Sequence, residues 1–235
     1  MGFSIIVPTF CEAENIPELV HRIAAVDFKS QPFEVLLMDD KSPDNTASIV
    51  SHLQTEFPWL KLITREQDPG LSQAVIHGLT EARYPRCIIM DADLSHPPEK
   101  IPELLTVLAI PETDMAIGSR YISGGQTDHN WPWHRQLAST LSAKLAQWLL
   151  FPIKVKDPLS GFIAITQTKC FSGAPLCPIG WKIGLEIMIK SNCKNIREVP
   201  IHFADRKAGQ SKLSMKVIFN YFRHITRLVG YKYKK

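Results

Sequence analysis

The feature that most constrains this chain is an alternation. Through the first half, short apolar runs bounded by turn residues alternate with stretches of helical periodicity. Phe3 to Val7, Glu34 to Met38, Leu60 to Thr64, Cys87 to Met90 and Met115 to Ser119 read as strands, and Glu14 to Val26, Asp44 to Phe57, Leu71 to Arg83 and Pro98 to Ala109 as helices. Strands that take turns with helices predict an α/β fold: a Rossmann-like, doubly wound mixed sheet, mainly parallel, with helices on both faces. Further on, Asp157 to Phe162 reads as a loop leading into a strand over Ile163 to Thr166. A helix is expected after Gly180 to Glu186, and a last strand over Val199 to Phe203. No repeat or low-complexity segment interrupts the pattern.

In such sheets ligands bind beyond the carboxyl ends of the strands, so the polar residues that close each apolar run are the candidates for chemistry. The run at Ile88 to Met90 ends in Asp91 and Asp93, followed by Leu94, Ser95, His96, Pro97 and Pro98. Two carboxylates of the same side-chain parity, one residue apart, can share a hard cation that also grips phosphate oxygens. Taken alone, the motif favours a plainer reading, a solvated strand end with Ser95 capping the next helix. The first strand ends in Pro8, Thr9, Phe10, Cys11 and Glu12, and the second in Asp39, Asp40, Lys41 and Ser42. Neither is a glycine-rich phosphate loop, which argues against a dinucleotide-binding dehydrogenase, and no Walker sequence is present. Acids at several strand ends suit a nucleotide held by base and ribose, with a metal on its phosphates. Asp44 is expected to cap the second helix.

Composition excludes several other classes. The five cysteines are odd in number and contain no Cys-x-x-Cys pair, so neither a disulfide framework nor a zinc knuckle is indicated. The chain runs almost directly into a strand, which predicts no secretory leader and a cytoplasmic protein. Ile6 breaks the myristoylation pattern. No apolar run reaches a membrane span; the longest, Leu137 to Phe151, is interrupted by Ser, Lys144 and Gln147. The net charge of +4 is uneven: from Asp205 onward nine Lys or Arg face one acid. A basic tail on an acidic body suggests an anionic partner, and a membrane surface is favoured over nucleic acid, which nothing else supports.

Val7 to Ile16, the turn from Asp39 to Thr46, Gly70-Leu71-Ser72 and Met90 to Pro98 together resemble the family 2 glycosyltransferases of the GT-A fold. Ile117 to Tyr121, Asn130 to Arg135, Asp157 to Phe162 and Asp205 to Lys212 resemble the dolichol/polyprenyl-phosphate mannose synthase branch of that family, in the family's order from residue 4 to about 230. The resemblance implies that Pro8, Glu12, Asp39 and Asp40 hold the nucleoside. It implies Asp91 and Asp93 as ligands of Mg²⁺ or Mn²⁺ against the diphosphate, with Ser95, standing where many relatives have Gln, as a further ligand whose hydroxyl binds the metal directly or through water. Arg120, Arg135 and Ser139 would bind the acceptor phosphate, and Arg206 and Lys212 would close over the donor diphosphate. Lys41 and Asn45 replace two common glycines, which bears on the nucleoside turn. The implied reaction is inverting, metal-dependent transfer of mannose from GDP-mannose to a polyprenyl phosphate lipid, catalysed through Asp93, Arg120, Arg135 and Arg206. The resemblance places the chain with the members that lack transmembrane helices, at the cytoplasmic face of a membrane and in need, in some cases, of a small membrane protein. A sister enzyme using UDP-glucose or another nucleotide sugar, and a non-catalytic nucleotide-binding scaffold at the membrane, stay open as alternatives. The glycine-rich loop of a pyrophosphorylase is missing.

On this reading residues 1–212 form the glycosyltransferase domain and 213–235 a basic amphipathic helix and tail. Leu137, Leu141, Leu145 and Trp148 follow helical spacing and are expected in the core. Trp131 and Trp133 read equally as packing around a proline turn and as part of a lipid path. Ile218, Tyr221, Phe222, Ile225, Leu228 and Val229 form a stripe flanked by basic residues. It reads as a membrane-surface helix or as a core helix, and peripheral attachment is the expectation. His96, His134 and Glu186 receive no catalytic role.

Overall fold

The computed structural model describes residues 1–127, 133–150, 154–204 and 215–233, with side chains left aside over 133–139, 150, 215–218 and 233. The alternation becomes β1 (Phe3–Thr9), α1 (Ile16–Ala24), β2 (Phe33–Asp39), α2 (Thr46–Glu56), β3 (Leu60–Thr64), α3 (Leu71–Glu81), β4 (Arg86–Ile89), a 3₁₀ turn (Pro98–Lys100) running into α4 (Ile101–Leu108), and β5 (Met115–Ser119). The second half adds β6 (Gln126–Thr127), α5 (Trp133–Leu150), β7 (Ile163–Thr166), α6 (Gln167–Cys170), α7 (Ile183–Lys190), β8 (Ile196–Pro200), β9 (His202–Phe203) and α8 (Met215–Tyr233).

Seven strands form one sheet in the order β3-β2-β1-β4-β7-β5-β8, and β7 alone runs against its neighbours. The doubly wound, mainly parallel mixed sheet expected from the alternation is therefore present. Alternate residues of each strand feed opposite faces. Phe3, Ile5, Val7, Val35, Leu37 and Ile88 pack beneath α1, α2 and α4. Ile6, Leu36, Met38, Ile89, Ile117 and Ile163 pack against the layer that holds α3, α5, α7 and α8. The expected strand over Val199 to Phe203 is split. After Pro200 the Ile201 N–H still reaches the Ser119 carbonyl at 3.1 Å, but His202 and Phe203 turn away to pair with β6.

Two helices bury faces other than those expected. In α5, Leu141 and Trp148 are exposed, 58% and 61%, while Ala143, Ala146 and Leu149 are buried. Leu145 still packs against the core beside these alanines, so of the stripe it is Leu141 and Trp148 that turn outward. In α8 Ile225 and Leu228 are buried, and Tyr221 and Val229 pack beside them, so these four residues of the stripe belong to the core. Among the described side chains of α8, Phe219 and Phe222 are the large apolar ones left exposed. The Tyr221 hydroxyl donates to the Ser142 carbonyl at 2.7 Å and Lys232 Nζ to the Leu149 carbonyl at 2.6 Å, tying α8 to α5.

Candidate active site

Register decides what meets at the functional edge. Thr9 pairs with Asp39 and Asp39 with Thr64, so β1, β2 and β3 end in line. Pro8 faces the β4 side of β1 just past Ile6, the last residue that β4 pairs, so its missing N–H leaves no gap in the ladder. Beyond these ends the loops are stitched together. Ser42 Oγ donates to Asp39 Oδ1 at 2.5 Å, Ser42 N–H donates to Asp39 Oδ2 at 3.1 Å, and the Cys11 N–H donates to Ser42 Oγ at 2.8 Å. Glu12 lies in the turn before α1, its carbonyl accepting from the Asn15 and Ile16 N–H groups and its Oε2 from Asn15 Nδ2 at 2.7 Å. Asp44 accepts from the Thr46 N–H at 3.1 Å at the start of α2 and from the Ala13 N–H at 3.3 Å; burial raises its pKa, but interactions with the Thr46 side chain and with these two N–H groups outweigh it and lower it.

Asp40 and Arg65, which follow β2 and β3 directly, form a buried ion pair. The second Asp40 oxygen accepts from the Gly70 N–H at 2.6 Å. Gly70 has φ 143°, a conformation L side chains rarely adopt, and that geometry aims its N–H at the carboxylate. Asp39 and Asp40 thus stand at the end of β2 with their carboxylates building the loops beyond it. An open cleft of about 440 Å³ at the end of β3, lined by Arg65, Gln67, Asp68 and Gln73 among others, flanks this corner.

The β4 loop is closed on itself. Asp93 is nearly buried, and its Oδ1 accepts from the Ser95 N–H at 3.1 Å and from Ser95 Oγ at 2.5 Å. Ser95 therefore braces Asp93 from behind instead of capping the helix, which starts at Pro98 after Pro97. The Asp91 side chain is 29% exposed and its backbone N–H donates to His96 Nδ1 at 3.0 Å. Cys11, Lys41 and Leu94 all have positive φ, 57°, 55° and 65°, so each of these strand-end loops carries one side chain in the left-handed region.

Because β7 runs backward, Ile163 pairs with Ile89, and the residues before it, Asp157 to Phe162, arrive at the same edge as Asp91 and Asp93. A Cβ at Gly161 would come within 3.2 Å of His96 Cε1 and 3.6 Å of Asp91 Oδ2, so glycine there lets the two loops touch. β5 ends at Ser119, and Arg120 next to it is fixed by a fully buried carboxylate. Asp157 Oδ2 accepts from Arg120 N–H at 3.0 Å and Nε at 2.8 Å, and Oδ1 accepts from the terminal nitrogen at 2.7 Å. The guanidinium also lies 5.2 Å from the Tyr121 ring centroid and 5.1 Å from that of Phe203. Burial works against its charge, but Asp157 more than compensates and raises its pKa.

Two residues with no role in the sequence reading belong to this edge. Asp157 is one; nothing in its local spacing reveals a partner 37 positions earlier. Lys182 is the other: its Nζ donates to the Leu159 carbonyl at 3.3 Å, and burial followed by the charge of Arg120 pushes its pKa down, with Asp91 and Asp157 opposing. Glu186 faces away from the site, toward His224 Nε2 at 2.9 Å and Lys190 Nζ at 2.6 Å. Arg135 and Ser139 fall in α5 at positions whose side chains lie outside the description. Arg206, Lys212 and Trp131 lie outside the described residues.

Among the described residues no group of three or more His, Cys, Asp or Glu is placed to hold a metal. Asp91 and Asp93 nevertheless offer hard oxygen donors at one loop, a set that fits a divalent cation completed by oxygens of a bound diphosphate.

A model of glycosyl transferase family 2 matches residues 4–169. The chain is 42% identical over 233 residues to the dolichol-phosphate mannosyltransferase of Pyrococcus furiosus, a match that takes in 99% of this chain and 65% of that protein's length. It is 38% identical over 239 residues to the dolichol-phosphate mannosyltransferase of Mycosarcoma maydis, taking in 98% and 80%. The fold is shared with a mannosyltransferase of Pyrobaculum calidifontis solved with GDP-Man and Mn²⁺: TM-score 0.67, 18% identity, 99% of this chain and 64% of that one.

Proposed function

We infer the activity from one premise: the chain belongs to glycosyl transferase family 2, in the branch of the dolichol-phosphate mannosyltransferases. It transfers mannose from GDP-mannose to a polyprenyl phosphate of the dolichyl type, with Mg²⁺ or Mn²⁺ and inversion at the anomeric carbon. The observation that carries this reading is the meeting of Asp91 and Asp93 with an Arg120 locked by Asp157 at one edge of the sheet. It sets a cation and diphosphate site beside a fixed guanidinium suited to a phosphate acceptor.

Asp91 and Asp93 would hold a divalent cation, which when bound would supply Lewis-acid stabilisation of the departing diphosphate. The acceptor needs little activation, because a phosphate monoester with a second pKa near 6 is mostly dianionic at pH 7 and attacks by its own oxygen. Arg120 turns two of its nitrogens to Asp157, which leaves the remaining edge of the guanidinium to orient that phosphate. Arg135 and Ser139 on α5 complete the grip, Arg206 and Lys212 cover the donor diphosphate, and Pro8, Glu12, Asp39 and Asp40 shape the nucleoside corner.

The protein works at a membrane surface. Among the described residues no helix is long and apolar enough to cross one. Instead Phe219 and Phe222 share the exposed face of α8 with Arg223 and Arg227, and Leu141 and Trp148 share that of α5 with Lys144. Aromatic residues interleaved with basic ones suit an anionic interface.

The test is incubation with labelled nucleotide sugars and Mg²⁺ or Mn²⁺, with and without polyprenyl phosphate in detergent. Label passing from GDP-mannose to lipid is the expected result. Transfer from a UDP-sugar alone would replace the donor, and binding without lipid product would favour a scaffold.

A further inference from the structure

His96 is buried, with 1% of its surface exposed, five positions beyond Asp91. β4 makes its last backbone bond from the Met90 N–H to the Ile6 carbonyl at 3.1 Å, so the next N–H, that of Asp91, has no strand to pair with. It donates to His96 Nδ1 instead. A backbone N–H only donates, so Nδ1 carries the lone pair and the ring proton sits on Nε2. The 3.9 Å separation between Nδ1 and Asp91 Oδ2 is an approach without a hydrogen bond.

The imidazole plane is itself clamped. It stacks on Phe162 at 5.2 Å and 12°, and presents against Phe203 at 5.5 Å and 68°. Phe203 also lies under the Arg120 guanidinium, so one aromatic layer touches both the carboxylate loop and the acceptor arginine. His96 is the member of that layer that reaches the Asp91 peptide with a hydrogen bond.

We propose that His96 is a positioning residue whose Nδ1 lone pair fixes the Asp91 peptide, and with it the direction in which the Asp91 carboxylate meets a cation and diphosphate. The inference rests on the reading of Asp91 and Asp93 as the carboxylates of the nucleotide site. A general packing role would make the ring matter; this role makes the acceptor atom matter, and two substitutions separate them. His96→Phe keeps a ring against Phe162 and removes the acceptor. His96→Asn gives up the ring and keeps an acceptor oxygen one bond from Cγ, where Nδ1 stands.

Mn²⁺ is titrated into the full chain with excess GDP, and free Mn²⁺ is followed by electron paramagnetic resonance, alongside thermal unfolding. His96→Phe weakens Mn²⁺ binding by about 10–100-fold, as loss of a ligand-orienting partner commonly does. His96→Asn melts at lower temperature but binds Mn²⁺ close to wild type. Wild-type affinity in the Phe variant, or equal losses in both, overturns the proposal. Absence of nucleotide-dependent Mn²⁺ binding in the wild type would instead remove the reading beneath it. The ring nitrogens of ¹⁵N-labelled wild-type protein give a check independent of either variant's folding: Nδ1 must be the unprotonated one, and a protonated Nδ1 refutes the assignment.

Discussion

Replacing Asp157 with Asn removes a negative charge while leaving the volume of the side chain almost unchanged, so no cavity obscures the effect. The carboxylate is fully buried and accepts three hydrogen bonds from Arg120, whose side chain is 11% exposed. Taking one partner from such a pair strands a charge with neither water nor counter-ion, which costs about 3–5 kcal/mol. In a chain of this size that corresponds to a fall in melting temperature of about 6–20 °C. An apolar pair should largely repair the loss, because well-packed hydrophobic replacements of buried ion pairs are often neutral. Urea unfolding of Asp157→Asn, Arg120→Met and Arg120→Met/Asp157→Leu measures this directly, with lipid labelling assayed on each. The singles are expected to be strongly destabilised, and the double variant close to wild type in stability yet inactive. A stable Asp157→Asn, or a double variant as unstable as the two singles combined, would refute the argument that Asp157 anchors Arg120 across a desolvated contact.

Other perturbations separate the parts of the site. Asp93→Ala abolishes transfer without unfolding the chain; normal turnover would remove the metal reading. Gly70→Ala forces a Cβ into a backbone region costing about 1–3 kcal/mol, lowering the melting temperature and weakening nucleotide binding through Asp40. Glu186 is held below the ordinary carboxylate range: burial would raise its pKa, but hydrogen bonds from His224, Lys190 and the Cys177 N–H outweigh it. A depressed folded-state pKa gives stability that is full above the unfolded value near 4.5 and lost as pH falls through the folded one. Glu186→Gln should therefore flatten the acid limb of the stability profile below about pH 4.5, and an unchanged limb would exclude this network as its source. Deleting 214–235 would strip Ile225 and Leu228 from the core, so the membrane reading is tested by Phe219→Ser/Phe222→Ser, which should reduce co-sedimentation with anionic vesicles.

The parallel half of the fold was readable because its signals are local. Leu60 to Thr64 and Met115 to Ser119 have the bounds expected from apolar runs and turn residues, and so does the later strand Ile163 to Thr166. Helix ends were shorter than periodicity suggested, since periodicity continues past the last satisfied backbone bond. Asp91 and Asp93 announced themselves by closing a strand. Asp157 and Lys182 did not, because what makes them part of the site is the reversed direction of β7, and strand direction leaves no mark on residue spacing. Helical spacing found an apolar stripe on α5 and on α8 but could not say which neighbour each would meet. Alanines at 143 and 146 left Leu141 and Trp148 outward, and the layer below drew Ile225 and Leu228 inward.

The reversal of β7 also fixes an order of assembly. A growing chain emerges amino end first. By residue 100 it holds β1, β2, β3 and β4 with the loops that would take the nucleoside and diphosphate. Arg120 follows while its carboxylate is still 37 residues from being made. Until that stretch arrives the guanidinium keeps its hydration, and the aromatic layer around it lacks Phe162 and Phe203. The strand ends that carry Asp39, Asp40, Asp91 and Asp93 can thus be complete before the chain that carries Asp157 exists, and closure of the Arg120–Asp157 contact comes after them.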